Sequence, residues 1–399
     1  MLPASFQQAI PIIEKIENMG YQAYYVGGCV RDFLLNKEVG DIDIATSAPP
    51  EVIQHSFSKV ILVGVEHGTV IVRYNDESYE VTTFRLDGDY SDKRRPDTVQ
   101  FVDRLDEDLK RRDFTINALA MDKTGNIIDL FNGKQDLKDK IIRTVGNGEE
   151  RFSEDPLRII RAIRFSSQLG FTISDKTIKD IIKIGKDIEG LAAERITNEI
   201  SKVFMGTYVN QGIKYIKETD IGIHLPTFKQ YPEIIHLLPN DIPSATSFAE
   251  VIALFHLLKP EVRIPVWAKD WKCSNETKKD AELLVTSYNY FIEHGLDRWL
   301  IYHFDQRYDL GFTNLVYMLN NKSIDPTEIQ TIRSHLPIQH KKELAINGHD
   351  LLIWFPDRKQ GPWLKQMLKS VEKNIVYGKL ENKRDHIKEW LKWNLPETN

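Results

Sequence analysis

Cysteine is scarce in this chain, and long apolar runs are missing. Its 399 residues include only two cysteines, Cys29 and Cys273, which are too few for a disulfide framework and predict a reducing compartment. The first residues carry neither a basic start nor a long apolar stretch. We therefore expect a cytoplasmic protein without a signal peptide, a membrane span or a membrane partner.

An overall excess of positive charge is also lacking. The formal net charge is −5, which argues against a general nucleic-acid binder. The distribution qualifies this argument, because the segment from Lys341 to the end carries 12 basic and 8 acidic residues. Two short cationic clusters, "SDKRRPD" and "LKRRDF", lie in the first third of the chain. A locally basic face on an acidic protein can follow a phosphate backbone.

The order of helix and strand patterns predicts an α+β head followed by an all-helical remainder. In the head we expect a mixed sheet with helices, including strands over "YQAYYV" and "DIDIAT" and hairpins that turn at Asn75–Ser78 and Lys123–Asn126. After about Asn147 the strand patterns fade and helical patterns continue to the end. The predicted domains are a head at 1–147, a helical neck at 148–206, a helical body at 207–325 and a helical tail at 326–399.

Two aspartates flank one isoleucine in "DIDIAT". Residues i and i+2 of a strand share a face, so Asp41 and Asp43 are predicted side by side while Ile42 and Ile44 face the core. Adjacent carboxylates repel unless a cation lies between them, and Mg²⁺ prefers carboxylate and phosphate oxygens. The alternative is a solvated edge strand with two charged residues. Glu80, on a neighbouring predicted strand, is the candidate for a third carboxylate, and a purely structural role fits it equally well.

A glycine turn precedes the aspartates. Gly27 and Gly28 follow a strand and precede a helix, so phosphates can approach the bare backbone and the N–H groups at the helix start. Arg31, in the first turn of that helix, can grip a phosphate. A glycine pair alone is most often only a tight turn. Turn, helix and aspartate pair together predict a site for a nucleoside triphosphate and its metal ion.

This combination resembles the class II tRNA nucleotidyltransferases of bacteria, the CCA-adding enzymes of the polymerase β superfamily, and is most similar to the Gram-positive type. The resemblance covers the whole chain, with the motifs concentrated in its first half. In this family "GGxVRD…DxD" is the catalytic motif. The resemblance therefore implies Gly28 and Arg31 at the triphosphate, and Asp41 and Asp43 as catalytic residues that hold Mg²⁺.

Two further motifs carry the resemblance. The intact "RRDFTINA" implies Arg112 and Asp113 at the nucleotide sugar, although "RRD" alone would indicate only a charged helix start. In "SEDPLRIIRAIRF", Ser153–Pro156 is predicted to begin a helix that Gly170 ends. Charged residues recur at every third position along that helix: Asp155, Arg158, Arg161 and Arg164. The alternative is a solvated face with ion pairs, whereas the resemblance implies that all four bind the nucleotide.

Asp155 and Arg158 together can select a base. Asp155 accepts hydrogen bonds and Arg158 donates them, while cytosine and adenine each present an exocyclic amine beside a ring nitrogen that accepts. Uracil and guanine place a carbonyl oxygen against the carboxylate, and two acceptors repel. We therefore expect an enzyme that selects CTP and ATP without a nucleic-acid template. Arg161 and Arg164 are expected nearby, toward a phosphate or the pocket wall.

A loop and the tail complete the resemblance. Enzymes of this family use a flexible loop to fit first a pyrimidine and then a purine, and Arg85–Val99 matches that loop. Its presence favours a complete CCA-adding enzyme, with a plain surface loop as the alternative. The segment "GPWLKQMLKSVEKNIVYGKL" is similar to the C-terminal element that meets the outer part of tRNA. Its basic stripe, Lys365, Lys369 and Lys373, is equally compatible with a solubilising helix face.

The predicted function is template-independent addition and repair of the 3′-terminal CCA of tRNA, with CTP and ATP as substrates, tRNA as partner and Mg²⁺ as cofactor. The alternatives are a poly(A) polymerase and a partial enzyme that adds only CC or only A. A third alternative, from a different class, is a catalytically inactive RNA-binding module. The intact Asp41, Asp43, Arg112 and Asp155 argue against that module. The sequence leaves a monomer and a homodimer both open.

Overall fold

The structure, a computed structural model, describes residues 2–88, 90, 93 and 98–395. The chain forms two compact units, Met1–Asn240 with Lys269–Lys272 and Asp241–Ala268 with Cys273–Asn399. Within the described residues, none of the helices combines the length and the apolar character that a membrane-spanning segment needs. The domain boundaries proposed from the sequence remain predictions.

Among the described residues, every strand but one lies within 1–147, the predicted head. In the described residues they are β1 (Ala23–Val26), β2 (Asp43–Thr46), β3 (Val60–Gly64), β4 (Thr69–Tyr74), β5 (Glu77–Thr83), β6 (Arg85–Asp87), β7 (Val99–Phe101), β8 (Leu119–Met121), β9 (Ile127–Asp129), β10 (Ile141–Ile142) and β11 (Thr172–Ile173). Seven of them form one sheet in the order β3-β4-β5-β2-β1-β8-β9. The β2–β5 pair is parallel and its neighbours are antiparallel, so the sheet is mixed as predicted.

Helices are interspersed in the head and continue to the end of the described residues. Those of the first unit are α1 (Ala4–Asn18), α2 (Gly28–Leu34), α3 (Pro50–Ser56), α4 (Leu105–Lys110), α5 (Gly133–Asp139), α6 (Gly148–Glu154), α7 (Leu157–Leu169), α8 (Asp175–Ile184), α9 (Ala193–Phe204), α10 (Val209–Glu218) and α11 (Ile234–Leu237). They are followed by α12 (Phe248–Leu258), α13 (Ile264–Asp270), α14 (Asn275–His294), α15 (Arg298–His303), α16 (Asp309–Asn320), α17 (Pro326–Ser334), α18 (Gly348–Trp354), α19 (Pro362–Val376) and α20 (Arg384–Asn394). The predicted fold class, an α+β head followed by an all-helical part, is confirmed.

Apolar side chains from strands and helices fix the sheet. One buried cluster joins the central strands to α4 and contains Val26, Ala45, Phe84, Leu105, Leu109 and Ala120. Helix α1 buries its residues at helical spacing, Phe6, Ala9, Ile12, Ile13 and Ile16. The hydroxyl of Tyr25 donates to the carbonyl of Phe6 at 2.7 Å, which ties α1 to β1. These contacts fix the position of the central strands, of which β1 leads into the glycine turn and β2 begins at Asp43.

The strand over "DIDIAT" is shorter than predicted. It begins at Asp43, so Asp41 lies in a bend before it and is exposed. Ile42 and Ile44 are buried, as the alternation predicts. The next hairpin turns at Asn75 and Asp76, whose φ angles of 49° and 63° are those of a two-residue turn that matches the twist of the strands.

The predicted start of the nucleotide-selecting helix is wrong. Helix α6 runs on to Glu154, Asp155 is extended at φ −140° and ψ 96°, and α7 begins only at Leu157. Pro156 causes this break, because it disfavours a helical conformation at the preceding residue and lacks an N–H group. Asp155 therefore lies between two helices rather than in one row with the arginines. Gly170 ends α7 in the left-handed region, as predicted.

The loop and the tail helix start where the sequence indicates. The antiparallel pair β6–β7 joins the two ends of the predicted switching loop Arg85–Val99. Within that loop, residues 89, 91, 92 and 94–97 lie outside the described residues. Helix α19 begins at Pro362 directly after Gly361. Its three lysines are exposed, and their contact with tRNA remains a prediction.

Candidate active site

A cavity of about 580 Å³ opens in the first unit, beside the turn from β1 to α2 and along α7. Of the residues predicted for the site, it brings together Gly28, Arg31, Asp43, Arg112, Asp113, Asp155, Arg158, Arg161 and Arg164. Asp41 is the one predicted site residue that does not line it. Residues separated by more than a hundred positions in the sequence thus form one continuous wall.

The glycine turn brings the backbone close to the cavity. Gly27 has φ 74°, a conformation that favours glycine, and a Cβ there would lie 3.0 Å from Nη1 of Arg112 and press on that guanidinium. Gly28 begins α2 and lines the cavity. Arg31 is held by two bonds of 2.9 Å to Asp32 and one of 2.7 Å to Oδ1 of Asn117. This pairing fixes a guanidinium beside the glycines, where an anion would approach.

Negative charge accumulates at the start of β2. Burial raises the pKa of the Asp43 carboxyl to about 6, with Glu80 and Asp41 adding to the effect and Arg112 opposing it. Glu80 is the partner of Asp43 across the parallel β2–β5 pair. Within the described residues, no three His, Cys, Asp or Glu side chains gather closely enough to hold a metal ion. Carboxylates such as Asp43 and Asp41 are the ligand type that can hold a divalent cation whose remaining ligands are phosphate oxygens and water.

A buried aspartate orients both arginines of the "RRD" motif. Asp108 is fully buried, and its Oδ1 accepts from Arg111 at 2.7 Å while its Oδ2 accepts from Arg112 at 3.2 Å. The ion pairs outweigh the effect of burial and lower the pKa of Asp108. Among the described residues, Nε of Arg112 is buried without a hydrogen-bond partner. An unpaired donor of this kind can serve a ligand in the cavity.

Asp113 and Arg161, both predicted to bind the nucleotide, bind each other. Arg161 donates to Oδ2 of Asp113 at 2.8 and 2.5 Å, and Nδ2 of Asn117 donates to Oδ1 at 3.1 Å. Although burial raises the pKa of Asp113, Arg161 and Asn117 lower it by more, to about 2. Asp113 is thus a permanent anion that holds Arg161 in the cavity wall.

Asp155 and Arg158 line the same cavity, and the backbone N–H of Arg158 donates to the carbonyl of Asp155 at 3.0 Å while their side chains bind other partners. Oδ2 of Asp155 accepts from Arg195 at 2.8 Å, and its Oδ1 accepts from the backbone of Leu157 at 3.1 Å. Arg158 donates to Glu154 at 2.9 Å and to backbone carbonyls. Each side chain keeps hydrogen-bonding capacity, since a carboxylate accepts about four bonds and a guanidinium donates five.

Phe165 forms the base of a cationic wall. The guanidinium carbons of Arg164, Arg31 and Arg161 lie 4.3, 5.1 and 5.5 Å from its ring centroid. Burial and the neighbouring Arg161 lower the pKa of Arg164 to about 10, although Glu199 opposes them. Arg164 thus remains charged at neutral pH. Each of these three cations also has a carboxylate partner: Asp32 for Arg31, Asp113 for Arg161 and Glu199 for Arg164.

Several lining residues were not predicted. Arg195 in α9, Asn117 and Phe165 line the cavity, and Asp108 supports it from behind. Asn117 lies in "RRDFTINA" and Phe165 in "SEDPLRIIRAIRF", so both could have been predicted from their place in these motifs. No spacing connects Arg195 with Asp155, because their contact arises only when α9 packs against α7.

Charged side chains make up most of the cavity wall. Seven arginines and three aspartates line it: Arg31, Arg111, Arg112, Arg158, Arg161, Arg164, Arg195, Asp43, Asp113 and Asp155. Four carboxylates behind the wall pair with five of these arginines: Asp32 with Arg31, Asp108 with Arg111 and Arg112, Glu154 with Arg158, and Glu199 with Arg164. Each guanidinium carries five N–H donors and so keeps some for phosphate oxygens. The arrangement can therefore hold a nucleoside triphosphate beside carboxylates suited to a divalent cation.

The chain is similar to known proteins over its whole length. Three family profiles match in succession: "Poly A polymerase head domain" over residues 23–143, "Probable RNA and SrmB- binding site of polymerase A" over 170–231 and "tRNA nucleotidyltransferase domain 2" over 245–391. The chain is 49% identical over 400 residues to the CCA-adding enzyme of Oceanobacillus iheyensis, with 100% of both chains covered.

Two further relatives span almost the whole chain. The CCA-adding enzyme of Bacillus cereus is 42% identical over 390 residues, which cover 97% of this chain and 98% of the relative. The fold is similar to that in the crystal structure of the Bacillus stearothermophilus CCA-adding enzyme in complex with CTP, with a TM-score of 0.87, 34% identity and 98% of each chain covered.

Proposed function

Since this chain belongs to the family of CCA-adding enzymes, we propose that it adds and repairs the 3′-terminal CCA of tRNA, using CTP and ATP and no nucleic-acid template. The observation that carries the proposal is the arginine-rich cavity with Asp155 and Arg158 in one wall. A relative 34% identical has been crystallised in complex with CTP, which supports a nucleotide in the corresponding place. The family name and the tRNA nucleotidyltransferase profile support tRNA as the acceptor.

Arginines and the glycine turn bind the triphosphate in this proposal. Arg31 and Arg164 present charge over Phe165, and the bare backbone at Gly27 and Gly28 lets phosphate oxygens approach. Nε of Arg112 is available to the nucleotide, in line with the predicted contact to its sugar. The proposed role of Asp113 is to hold Arg161 in place.

Mg²⁺ is the proposed cofactor, with Asp43 and Asp41 as its protein ligands. When bound, the ion assists ionisation of the attacking hydroxyl and offsets charge on the leaving pyrophosphate. The chain supplies the partly buried carboxylate of Asp43 and holds it at the start of β2, a central strand of the sheet. Glu80, the neighbour of Asp43 across the β2–β5 pair, is the candidate for a third carboxylate at the ion.

Base selection is assigned to the side chains of Asp155 and Arg158. The carboxylate accepts from the exocyclic amine of cytosine or adenine, and the guanidinium donates to the adjacent ring nitrogen. Uracil and guanine would bring a carbonyl oxygen against Asp155 and leave buried acceptors facing each other. The bonds to Arg195 and Leu157 support this assignment, because they fix the carboxylate without using all its lone pairs.

The test is nucleotide addition to a tRNA that lacks its 3′ end, in Mg²⁺, with CTP, ATP, UTP and GTP given singly and together. We expect growth by C, C and A and then a stop. A long A ladder would indicate a poly(A) polymerase, and a stop after CC or addition of A alone would indicate a partial enzyme. No incorporation into any RNA would leave the inactive binding module.

A matched pair of variants tests the base-selecting role. Asp155→Ala is expected to lower incorporation of CTP relative to UTP by about tenfold or more, because the repulsion against uracil is lost. Asp139→Ala removes an exposed carboxylate that does not line the cavity and should leave the ratio unchanged. An unchanged ratio in Asp155→Ala would contradict the assignment.

A further inference from the structure

A separate cavity of about 360 Å³ opens in the first unit, and none of its lining residues also lines the nucleotide cavity. It lies between the start of α9, the segment 224–230 and Lys269–Lys272. Three lysines line it, Lys229, Lys269 and Lys272, and we call it the lysine-rimmed cavity. Its volume suits a small molecule, since ligand pockets in proteins begin at about 300 Å³.

The three lysines offer positive charge that the chain does not use for ion pairs. All three are exposed, and within the described part of the chain none of them forms an ion pair with a carboxylate. A lysine ammonium group carries three donors and binds phosphate as a compact point charge. Three such groups at one rim therefore favour an anionic ligand.

Two carboxylates also line the lysine-rimmed cavity, and the wall itself supplies a partner for each. Nδ1 of His224 forms a hydrogen bond of 2.7 Å with Oε1 of Glu189. The hydroxyl of Thr227 donates to Oδ2 of Asp270 at 3.0 Å. Lys229 acts on Glu189 only at longer range. The carboxylates thus leave the ammonium groups available to a ligand.

A short anchored segment fixes the position of two of the lysines. Trp271 lies between Lys269 and Lys272 in the chain and is fully buried. Its ring packs edge-on against Phe228 with the centroids 6.0 Å apart, and its carbonyl accepts from the hydroxyl of Thr197 at 2.7 Å. The backbone on both sides of the tryptophan is therefore held at the rim before any ligand binds.

Below the rim, the lysine-rimmed cavity has an apolar floor formed by Leu191, Ile196 and Pro226. Ile196 is 2% exposed and Thr227, beside the floor, is 1% exposed, so the cavity reaches the buried layer of the unit. Thr227 has φ 64°, in the left-handed region that a β-branched residue rarely adopts. Strained backbone of this kind is most common at sites that bind ligands.

This shape favours a free small molecule over an RNA backbone. The phosphates of an RNA helix lie on its outer surface, and exposed lysines bind them without a recess. Here the lysines surround a recess whose floor is apolar. A phosphate monoester with an apolar part can use the rim and the floor at the same time.

We propose that the lysine-rimmed cavity binds a small phosphorylated molecule, with its phosphate among the three lysines and its less polar part on the apolar floor. The site goes beyond the function proposed above, because it takes neither the incoming nucleotide nor the end of the RNA.

Calorimetric titration of the full chain with phenyl phosphate, a compact phosphate monoester with an apolar ring, tests the proposal. Lys229→Ala combined with Lys272→Ala should raise the Kd of this site about tenfold or more, because two charged contacts are lost. Lys176→Ala combined with Lys179→Ala removes two exposed lysines of α8 that line neither cavity and should titrate like the wild type. Phosphate can also bind the arginines of the nucleotide cavity, so the difference between the two double variants reports on the lysine-rimmed cavity. Equal titrations of both would overturn the proposal.

Two further ligands test which parts of the molecule are recognised. Phenol lacks the phosphate and should not bind this site, and inorganic phosphate lacks the ring and should bind about tenfold more weakly than phenyl phosphate. Phenol binding as tight as that of phenyl phosphate would contradict the role of the lysines. Equal affinity for inorganic phosphate would contradict the role of the floor.

The same double variants distinguish a free ligand from an RNA phosphate. We expect the KM for a tRNA that lacks its 3′ end to be the same in both double variants and in the wild type. A higher KM for tRNA in Lys229→Ala combined with Lys272→Ala, together with an unchanged phenyl phosphate titration, would assign the lysines to the RNA backbone and overturn the proposal.

Discussion

Arg195 holds the carboxylate that is proposed to select the base. It donates to Oδ2 of Asp155 from 40 residues along the chain, and both side chains are largely buried. Charge-assisted bonds of this kind are short and directional, so the loss of one frees the acceptor to rotate. Arg195 is therefore a positioning residue for Asp155 as well as part of the cavity wall.

We predict that Arg195→Ala lowers the preference for CTP over UTP by about tenfold, since a mobile carboxylate repels uracil less strictly. Competitive incorporation of the two nucleotides into one tRNA measures the ratio. Arg195→Lys keeps the charge without the planar fork and should fall between the wild type and the alanine variant. A uniform loss of activity with an unchanged ratio would indicate only a structural role.

The negative charge of Asp43 should be needed for catalysis. Asp43→Asn removes the charge but keeps the shape of the side chain, and we expect kcat to fall about 1000-fold while CTP binding, measured directly, is largely retained. Glu77→Gln, an exposed neutral substitution at the start of β5, is the matched control. Glu80→Gln in the same assay reports whether that carboxylate shares the ion. Full activity of Asp43→Asn would contradict its catalytic assignment.

The structure brings predicted site residues together where a motif carries its own geometry, and their roles stay predictions. The turn at Gly27 and Gly28, the arginine of α2 and the "RRD" motif all meet in the cavity because each is fixed by local chain direction. Asp41 was placed beside Asp43 by assuming that the strand began earlier than it does. Arg195 was not found, because its contact depends on the packing of α9 on α7.

At the scale of elements, the break between α6 and α7 is the feature that matters most for the site. The three-residue spacing of Asp155 and the arginines suggested one continuous helix, and Pro156 within it was taken as a helix start. The structure instead has a helix before the proline and another after it. The spacing of the charged residues cannot distinguish one continuous helix from two helices separated at Asp155 and Pro156, because α6 and α7 each have helical periodicity.

We predict that Pro156→Ala lets α6 and α7 approach one continuous helix and draws Asp155 out of its extended conformation. The kcat/KM for CTP should then fall by about tenfold to 100-fold, because small displacements of a positioning group are costly. Pro326→Ala, at the first turn of α17, is the control for loss of a helix-start proline. Wild-type kinetics in Pro156→Ala would show that the break is not needed for selection.

Strand β3 was not predicted, although its sequence is a continuous apolar run. Its residues Ile61, Leu62 and Val63 are all about half exposed or more. Alternation is the signal for a half-buried strand, and an edge strand with exposed apolar residues lacks it. The register shift in the β3–β4 pair, between Leu62 and Gly64, depends on pairing with β4 and leaves no pattern in the sequence.

At the scale of the whole molecule, the fold class followed from a change in pattern near Asn147, and both the strand-rich head and the helical remainder are confirmed. The two compact units are less simply read from the sequence. Lys269–Lys272 belongs with the first unit although it follows the start of the second. Domain boundaries are recognised in a sequence by flexible, polar linkers, and a short segment that packs with a distant part of the chain has no such linker beside it.

The second unit contains a buried carboxylate with its own consequence for stability. Glu250, near the start of α12, is 1% exposed. It accepts hydrogen bonds from the backbone and hydroxyl of Thr246 at 2.8 and 2.9 Å and from Asn314 at 2.9 Å. Burial nevertheless raises its pKa to about 7, because these bonds offset only part of the loss of hydration.

The stability of the second unit should therefore fall as the pH rises. A group whose pKa is higher in the folded state contributes fully below its ordinary value of 4.5, and this contribution is lost as the pH passes through about 7. We expect hydrogen exchange in Asp241–Ala268 and Cys273–Asn399, corrected for intrinsic rates, to report a loss of at most about 3 kcal/mol between pH 5 and 8. Glu250→Gln should flatten this dependence, since an amide cannot ionise, while Glu328→Gln, at an exposed site in α17, should preserve it. The same slope in Glu250→Gln as in the wild type would assign the pH dependence to other groups.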